Sequence, residues 1–187
     1  MIKWMIRRRV AAFERDFGYD ASYMRQVLDH DLGAFFKFAR LAGISEHRRD
    51  VPKDVYYAAK ITGALTADCG PCTQLVVTMA LRDGIPGATI AQVLEGDEAA
   101  LTETARLGVR FARAVLARDL AADDMRAEIE RRWGPRAVIS LALALVSSQL
   151  YPTFKYALGH GKACARIDVE GRTIAPSHHD HQRAAEA

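Results

Sequence analysis

The stretch "YYAAKITGALTADCGPCTQL", Tyr56 to Leu75, holds two cysteines separated by two residues, and what leads into the first of them decides the fold. A strand entering Cys69 would place the pair in an α/β redox architecture, whereas a helix would place it in a helical bundle. Val55, Ala58, Ala59, Thr62 and Leu65 step by threes and fours, the period of one helical face rather than the alternation of a strand. Beyond the pair, Leu75, Val76, Met79 and Ala80 repeat that spacing. Pro71 suits a first helical turn, where its missing N–H costs nothing. The pair is therefore expected to open a second helix, with Cys69 near the cap and Cys72 inside the first turn.

Working outward, helical periodicity recurs between clear stop and start signals. A helix is expected from Ile2 to Phe17, ending at Gly18, and a second from Asp20 through Tyr23, Val27, Leu28 and Phe35 to Phe38. "GISEHRRDVP" breaks the pattern before Asp50 and Pro52 start the helix that leads to the cysteines. "RDGIPG" stops the helix after them, and a short "ATIAQVL" helix follows. Asp97 is read as the cap of a long helix through Ala117, and Asp123 and Asp124 as caps of the next, which ends at Trp133 and Gly134. Pro135 starts a last helix that Pro152 is expected to kink or divide. The fold class is all-α, a single helical domain over residues 1–164. Residues 165–187 are read as a hairpin around Glu170 and Gly171 followed by a solvated tail.

With 187 residues, half of them apolar, the chain can bury the core of one domain. Its 26 basic and 23 acidic residues are spread evenly, which argues against nucleic acid as a partner. "MIKWMI" does not have the form of a secretion signal, and the apolar run "AVISLALALV", Ala137 to Val146, falls short of a membrane span and is read as a core helix. Arg7 to Arg9 with Trp4 are too few for a lipid-binding cluster and are taken as a solvated helix face. Three cysteines do not form a secreted disulfide framework, so the expected location is the cytoplasm, where Cys-x-x-Cys usually means redox chemistry or metal.

A helix N-terminus offers unpaired N–H groups and positive potential, which favour a thiolate. Lys60 on the preceding helix would add to that effect, while Asp68 would oppose it unless it served as a base. Gln74 and Thr73 in the first turn and Tyr56 on the preceding helix are further candidates. A metal reading remains beside this one: His160 and Cys164 share a helical face at i, i+4, and with Cys69 and Cys72 they would make a Cys3His zinc site. His178, His179, Asp180 and His181 belong to the tail, and His30 and His47 are assigned to the surface. In "TIAQVLEGDEAALTETARLGVR", Arg106, Arg110 and Arg113 have helix-turn-helix spacing, but Asp97 and Glu98 stand where a DNA reader would be basic, so two ordinary packed helices are expected.

"CGPC" is also the active-site sequence of thioredoxin, but thioredoxin requires a strand before it, and helical spacing stands there instead. The order of elements in "VPKDVYYAAKITGALTADCGPCTQLVVTMALRDGIPGATIAQVLEG", Val51 to Gly96, resembles the alkylhydroperoxidase D-like (AhpD-like), or carboxymuconolactone decarboxylase, superfamily over about a quarter of the chain. "YPTFKYALGHGKAC", Tyr151 to Cys164, resembles the closing helix of some members more weakly. The resemblance implies an all-α homo-oligomer that reduces peroxides or exchanges disulfides through the dithiol, using an external thiol reductant and no cofactor. By position, Cys72 matches the cysteine that becomes sulfenic acid and Cys69 its resolving partner. The family's proton relay places Glu twelve residues before the first cysteine and His four after the second. This chain has Tyr57 and Val76 there. With the relay absent, a scaffold carrying a merely structural dithiol is the non-enzymatic alternative.

Overall fold

The computed structural model describes residues 1–163 and 166–177. These residues form ten helices and one short hairpin, so the chain is all-α. The helix predicted from the cysteine-bearing stretch is α5, Lys53–Thr66, and the one the cysteines open is α6, Gly70–Arg82. Before them come α1 (Ile2–Phe17), α2 (Ser22–His30), α3 (Leu32–Ala39) and α4 (Ala42–Glu46). After them come α7 (Gly87–Glu95), α8 (Glu103–Ala117), α9 (Ala121–Trp133) and α10 (Pro135–Ala157). Strands β1 (Ile167–Val169) and β2 (Arg172–Ile174) pair antiparallel through the expected turn at Glu170 and Gly171, with Ile167 opposite Ile174.

α5 is the central helix. Its apolar positions suggest one buried face, yet the helix is buried on nearly every side from Val55 to Leu65. A helix enclosed in this way serves as a core element. One side joins α6, α7, α8 and the hairpin around Ile61, Val77, Ile90, Leu94 and Val109. The other joins α8, α9 and α10 around Val55, Ile129, Leu141 and Leu145. A third, aromatic cluster holds α1, α2 and α3 against the end of α10 through Phe35, Phe38, Tyr23, Tyr151 and Phe154. Two glycines permit the tight packing of α5. A Cβ at Gly108 would lie 2.5 Å from the Val55 carbonyl oxygen, and one at Gly63 would lie 2.1 Å from the Ser148 hydroxyl.

Several boundaries differ from the sequence reading. The single helix expected from Asp20 to Phe38 is two, because the Asp31 carboxylate accepts from the Ala34 N–H and caps α3. Thr102, not Asp97, caps α8; Asp97 instead closes a turn at Ala100. Asp123 and Asp124 lie within the first turn of α9, while Asp119 accepts from the Ala121 N–H ahead of it. Pro152 does not divide the last helix, which runs 23 residues. That length makes α10 long and apolar enough to cross a membrane by size and composition, with 44% of its most apolar window buried inside the fold. Its buried face includes Leu141, Ala144, Leu145 and Lys155, while Ile139 and Val146 are exposed. The hairpin packs into the core through Ile167, Val169 and Ile174 rather than hanging off it. Residues 178–187, including the histidines of the tail, and Cys164 lie outside the described residues.

Candidate functional site

Cys69 is the N-cap of α6 with an extended backbone, and Cys72 lies in the first helical turn, as the placement of Pro71 predicts. The two are joined by a disulfide, with Cα atoms 5.2 Å apart. The residue before them, Asp68, takes a left-handed backbone with φ of 45°, which turns the chain from α5 into α6. The turn is pinned from outside: the Tyr156 hydroxyl donates to the Asp68 carbonyl at 2.8 Å, and the Gly70 N–H donates to the Lys162 carbonyl at 3.0 Å. Thr73 closes it from within, its N–H and hydroxyl both donating to the Cys69 carbonyl.

The two cysteines have different surroundings. Cys69 is fully buried behind the turn, whereas Cys72, 6% exposed, borders a cavity of about 940 Å³. The cavity lies between α5 and α6 on one side and α1 to α4 with α10 on the other. Phe13, Phe17, Phe35, Tyr57, Tyr151 and Met79 make most of its wall apolar or aromatic. Charge enters through Lys60, Glu46, Arg48 and Asp83, with Arg9 and Arg82 also on the wall. A large, mainly apolar cavity with a few charged groups and one cysteine at its boundary is the usual form of a small-molecule site.

Lys60 is the notable wall residue. It is 4% exposed, and its ammonium donates to the Ser45 carbonyl at 2.5 Å, the Ser45 hydroxyl at 2.9 Å and the Tyr56 hydroxyl at 3.4 Å. Burial brings its pKa down to about 8, against a smaller opposing effect of Glu46. Tyr56 in turn donates to the Ser45 carbonyl at 2.8 Å. At Tyr57, where the resembled family has glutamate, burial and then Asp83 push the phenol up to about 12, so it stays protonated at neutral pH. Tyr151 is likewise pushed up to about 12, by burial first and Glu46 second. Val76, where that family has histidine, is a buried apolar wall residue with no proton to give.

Other candidates from the sequence lie elsewhere. The Gln74 side chain faces the hairpin, its amide donating to the Asp168 carbonyl at 2.9 Å and accepting from the Asp168 N–H at 2.7 Å. It fastens β1 to α6. Asp68 contributes its backbone to the turn and does not line the cavity. His160 is half-buried, and its two ring nitrogens meet Ser22 and Gln26 of α2. Among the described residues no group of three or more histidine, cysteine or acidic side chains is arranged to hold a metal. Arg110 and Arg113 both bind Glu98, and Arg106 donates to the Glu98 and Leu101 carbonyls, so these arginines brace the α7–α8 loop. The sequence reading did not foresee the contribution of α1, α3 and α4 to the cavity, whose signal was the density of aromatic residues between Phe13 and Phe38. No family model, curated protein or solved structure matches the chain.

Proposed function

We propose that this chain is a thiol-dependent peroxidase or disulfide oxidoreductase of AhpD-like type, in which Cys72 is the nucleophile and Cys69 resolves it. The observation that carries the reading is that Cys72 borders the cavity while Cys69 is sealed behind it. The N-terminus of α6 and the positive charge of Lys60 on the same cavity wall both favour a Cys72 thiolate. Tyr57 supplies a neutral hydrogen-bond donor where the family has an acid. In the peroxidase cycle the thiolate attacks the O–O bond, giving Cys72 sulfenic acid and an alcohol or water. The Cys69 thiol then attacks the sulfenic sulfur, its proton leaving with the displaced hydroxyl as water, to form the disulfide, and an external dithiol returns both residues to the reduced state as it becomes a disulfide itself. The cytoplasm suits such a cycle, since a thiol reductant is present there. A homo-oligomer is part of the same proposal, supported by an open apolar groove along Leu41, Val115, Val146 and Leu150.

The test is peroxide consumption with dithiothreitol as reductant, using cumene hydroperoxide and hydrogen peroxide in turn. The parent protein is expected to turn over and to form the Cys69–Cys72 disulfide. Cys72→Ser loses the activity, and Cys69→Ser accumulates a sulfenic acid at Cys72 that a dimedone-type reagent traps. Equal rates for parent and Cys72→Ser would leave a structural disulfide, a reading favoured by the bonds that pin the turn through Tyr156 and Lys162.

A further inference from the structure

Of two buried lysines in the described fold, one borders the cavity and one does not. Lys155 is 2% exposed and packed between the rings of Tyr19 and Tyr23, 4.6 and 5.2 Å from their centroids, with its ammonium donating to the Tyr19 hydroxyl at 3.3 Å. It is absent from the cavity wall. Lys60 is equally buried but lines the cavity, with two hydroxyls, those of Ser45 and Tyr56, within hydrogen-bond range of its nitrogen. A lysine in a largely apolar pocket is suited to act as an amine nucleophile through its neutral fraction, beside the charge it carries when protonated.

We infer that Lys60 is a carbonyl-capturing site, forming an imine with an aldehyde or ketone whose aromatic or other apolar body fills the aromatic cavity. The neutral amine gives its lone pair to the carbonyl carbon, the C=O π electrons move to oxygen, and a proton passes from nitrogen to that oxygen by way of the Tyr56 and Ser45 hydroxyls. The carbinolamine then loses water, again with a proton delivered through a hydroxyl, and leaves a protonated imine. The net change is ammonium plus carbonyl to iminium plus water, with no oxidant or reductant. A neutral Lys60 keeps two N–H donors for two of its three present acceptors and frees one lone pair. The apolar wall disfavours the water that would hydrolyse the product. This site does not depend on the dithiol.

The experiment is reductive trapping of the full-length, oxidised protein with benzaldehyde and sodium cyanoborohydride at pH 7, followed by peptide mapping of every lysine. With Cys69 and Cys72 bonded to each other, neither competes for the aldehyde. An amine with a pKa of about 8 is neutral roughly three-hundredfold more often at that pH than one at 10.5, and its lower basicity returns part of that gain. Lys60 is therefore expected to be benzylated at least about tenfold faster than the exposed Lys53 and Lys162, with saturation in aldehyde, while Lys155 stays unmodified. Labelling of Lys60 no faster than of Lys53 and Lys162 overturns the proposal. So does equal labelling of Lys60 and Lys155, which would mean that lowered basicity, not the cavity, governs reaction. Because the comparison is made within one unaltered chain, it does not depend on a variant that folds. Peroxidase activity can fail while this trapping succeeds, and the reverse, so the two readings are separable.

Discussion

Cys69 caps α6 and Cys72 lies in its first turn, and although a disulfide joins them only Cys72 borders the cavity, which Lys60 reaches from the helix before them. For Lys60 the cost of burial can be measured through pH. Its pKa falls from 10.5 in the unfolded chain to about 8 in the folded one, so between those values the unfolded state binds more protons than the folded state. Stability must then rise with pH across that window and be independent of Lys60 titration below about 8 and above 10.5. The full effect is on the order of 3 kcal/mol, at 1.36 kcal/mol for each tenfold change in proton affinity. Lys60→Met removes it. Denaturant unfolding of both proteins from pH 7 to pH 10 is expected to show the parent gaining stability relative to Lys60→Met as pH increases. Parallel curves would mean that Lys60 keeps water around its ammonium in the folded state. The cysteine positions were legible in the sequence because Pro71 and the helical spacing fix them locally. The burial of Lys60 was not, since it depends on α4 folding back so that Ser45 meets α5, a contact between residues 15 apart.

At the scale of helices, capping chemistry made many boundaries readable: Gly18, Pro52, Pro71 and Pro135 all mark ends in the fold. One misreading arose where two caps competed. Asp97 and Thr102 both precede helical sequence, and the loop between them is held open by Arg106, Arg110 and Arg113 gathering on Glu98, a tertiary cluster with no local signature. The central position of α5 was hidden for the same reason. Its two closest packings use one glycine of its own, Gly63 against α10, and one of α8, Gly108, and they are expected to respond differently to substitution. Gly108→Ala drives a methyl into the Val55 backbone carbonyl, which cannot rotate away, so a loss of about 2 kcal/mol or more is expected despite alanine's better helix propensity. Gly63→Ala clashes with the Ser148 side chain and makes an ordinary contact with Leu145, and Ser148→Gly in the same chain should restore most of its loss. Chemical denaturation of the single and double variants checks this; rescue of Gly108→Ala by shortening the Val55 side chain would refute the assignment to backbone.

At the scale of the whole molecule, α5 and α6 bring Lys60 and Cys72 to the cavity and residues of α1 to α4 enclose it. α1 contributes Ile6, Val10, Phe13 and Phe17 to the cavity wall, yet Val10 is its single buried residue. Beside the partly buried packing of Ile6, Phe13 and Phe17 on the aromatic cluster, its attachments are surface contacts: the Arg7–Asp29 and Arg25–Glu14 pairs, and Arg82 of α6, which lies 4.1 Å over the Phe17 ring and donates to the Asp16 carbonyl. Exposed ion pairs of this kind contribute about 1 kcal/mol at most. Elements held by little buried surface open locally without global unfolding, so α1 is suited to admit ligands to Cys72 by partial detachment. Loosening it in the full-length chain with Phe17→Ala and Arg82→Ala should leave α5 and α6 intact while raising the rate at which a bulky maleimide modifies reduced Cys72, by at least about threefold if opening of α1 limits access. Iodoacetamide, which is small enough to need less opening, should change less, and Cys69, sealed behind the turn, should remain the slower thiol with both reagents. If the ratio of bulky to small reagent is the same in parent and variant, α1 is a fixed wall, and access to Cys72 must come from the α3–α4 side, where Phe36, Ala39, Ala42 and Glu46 border the same cavity.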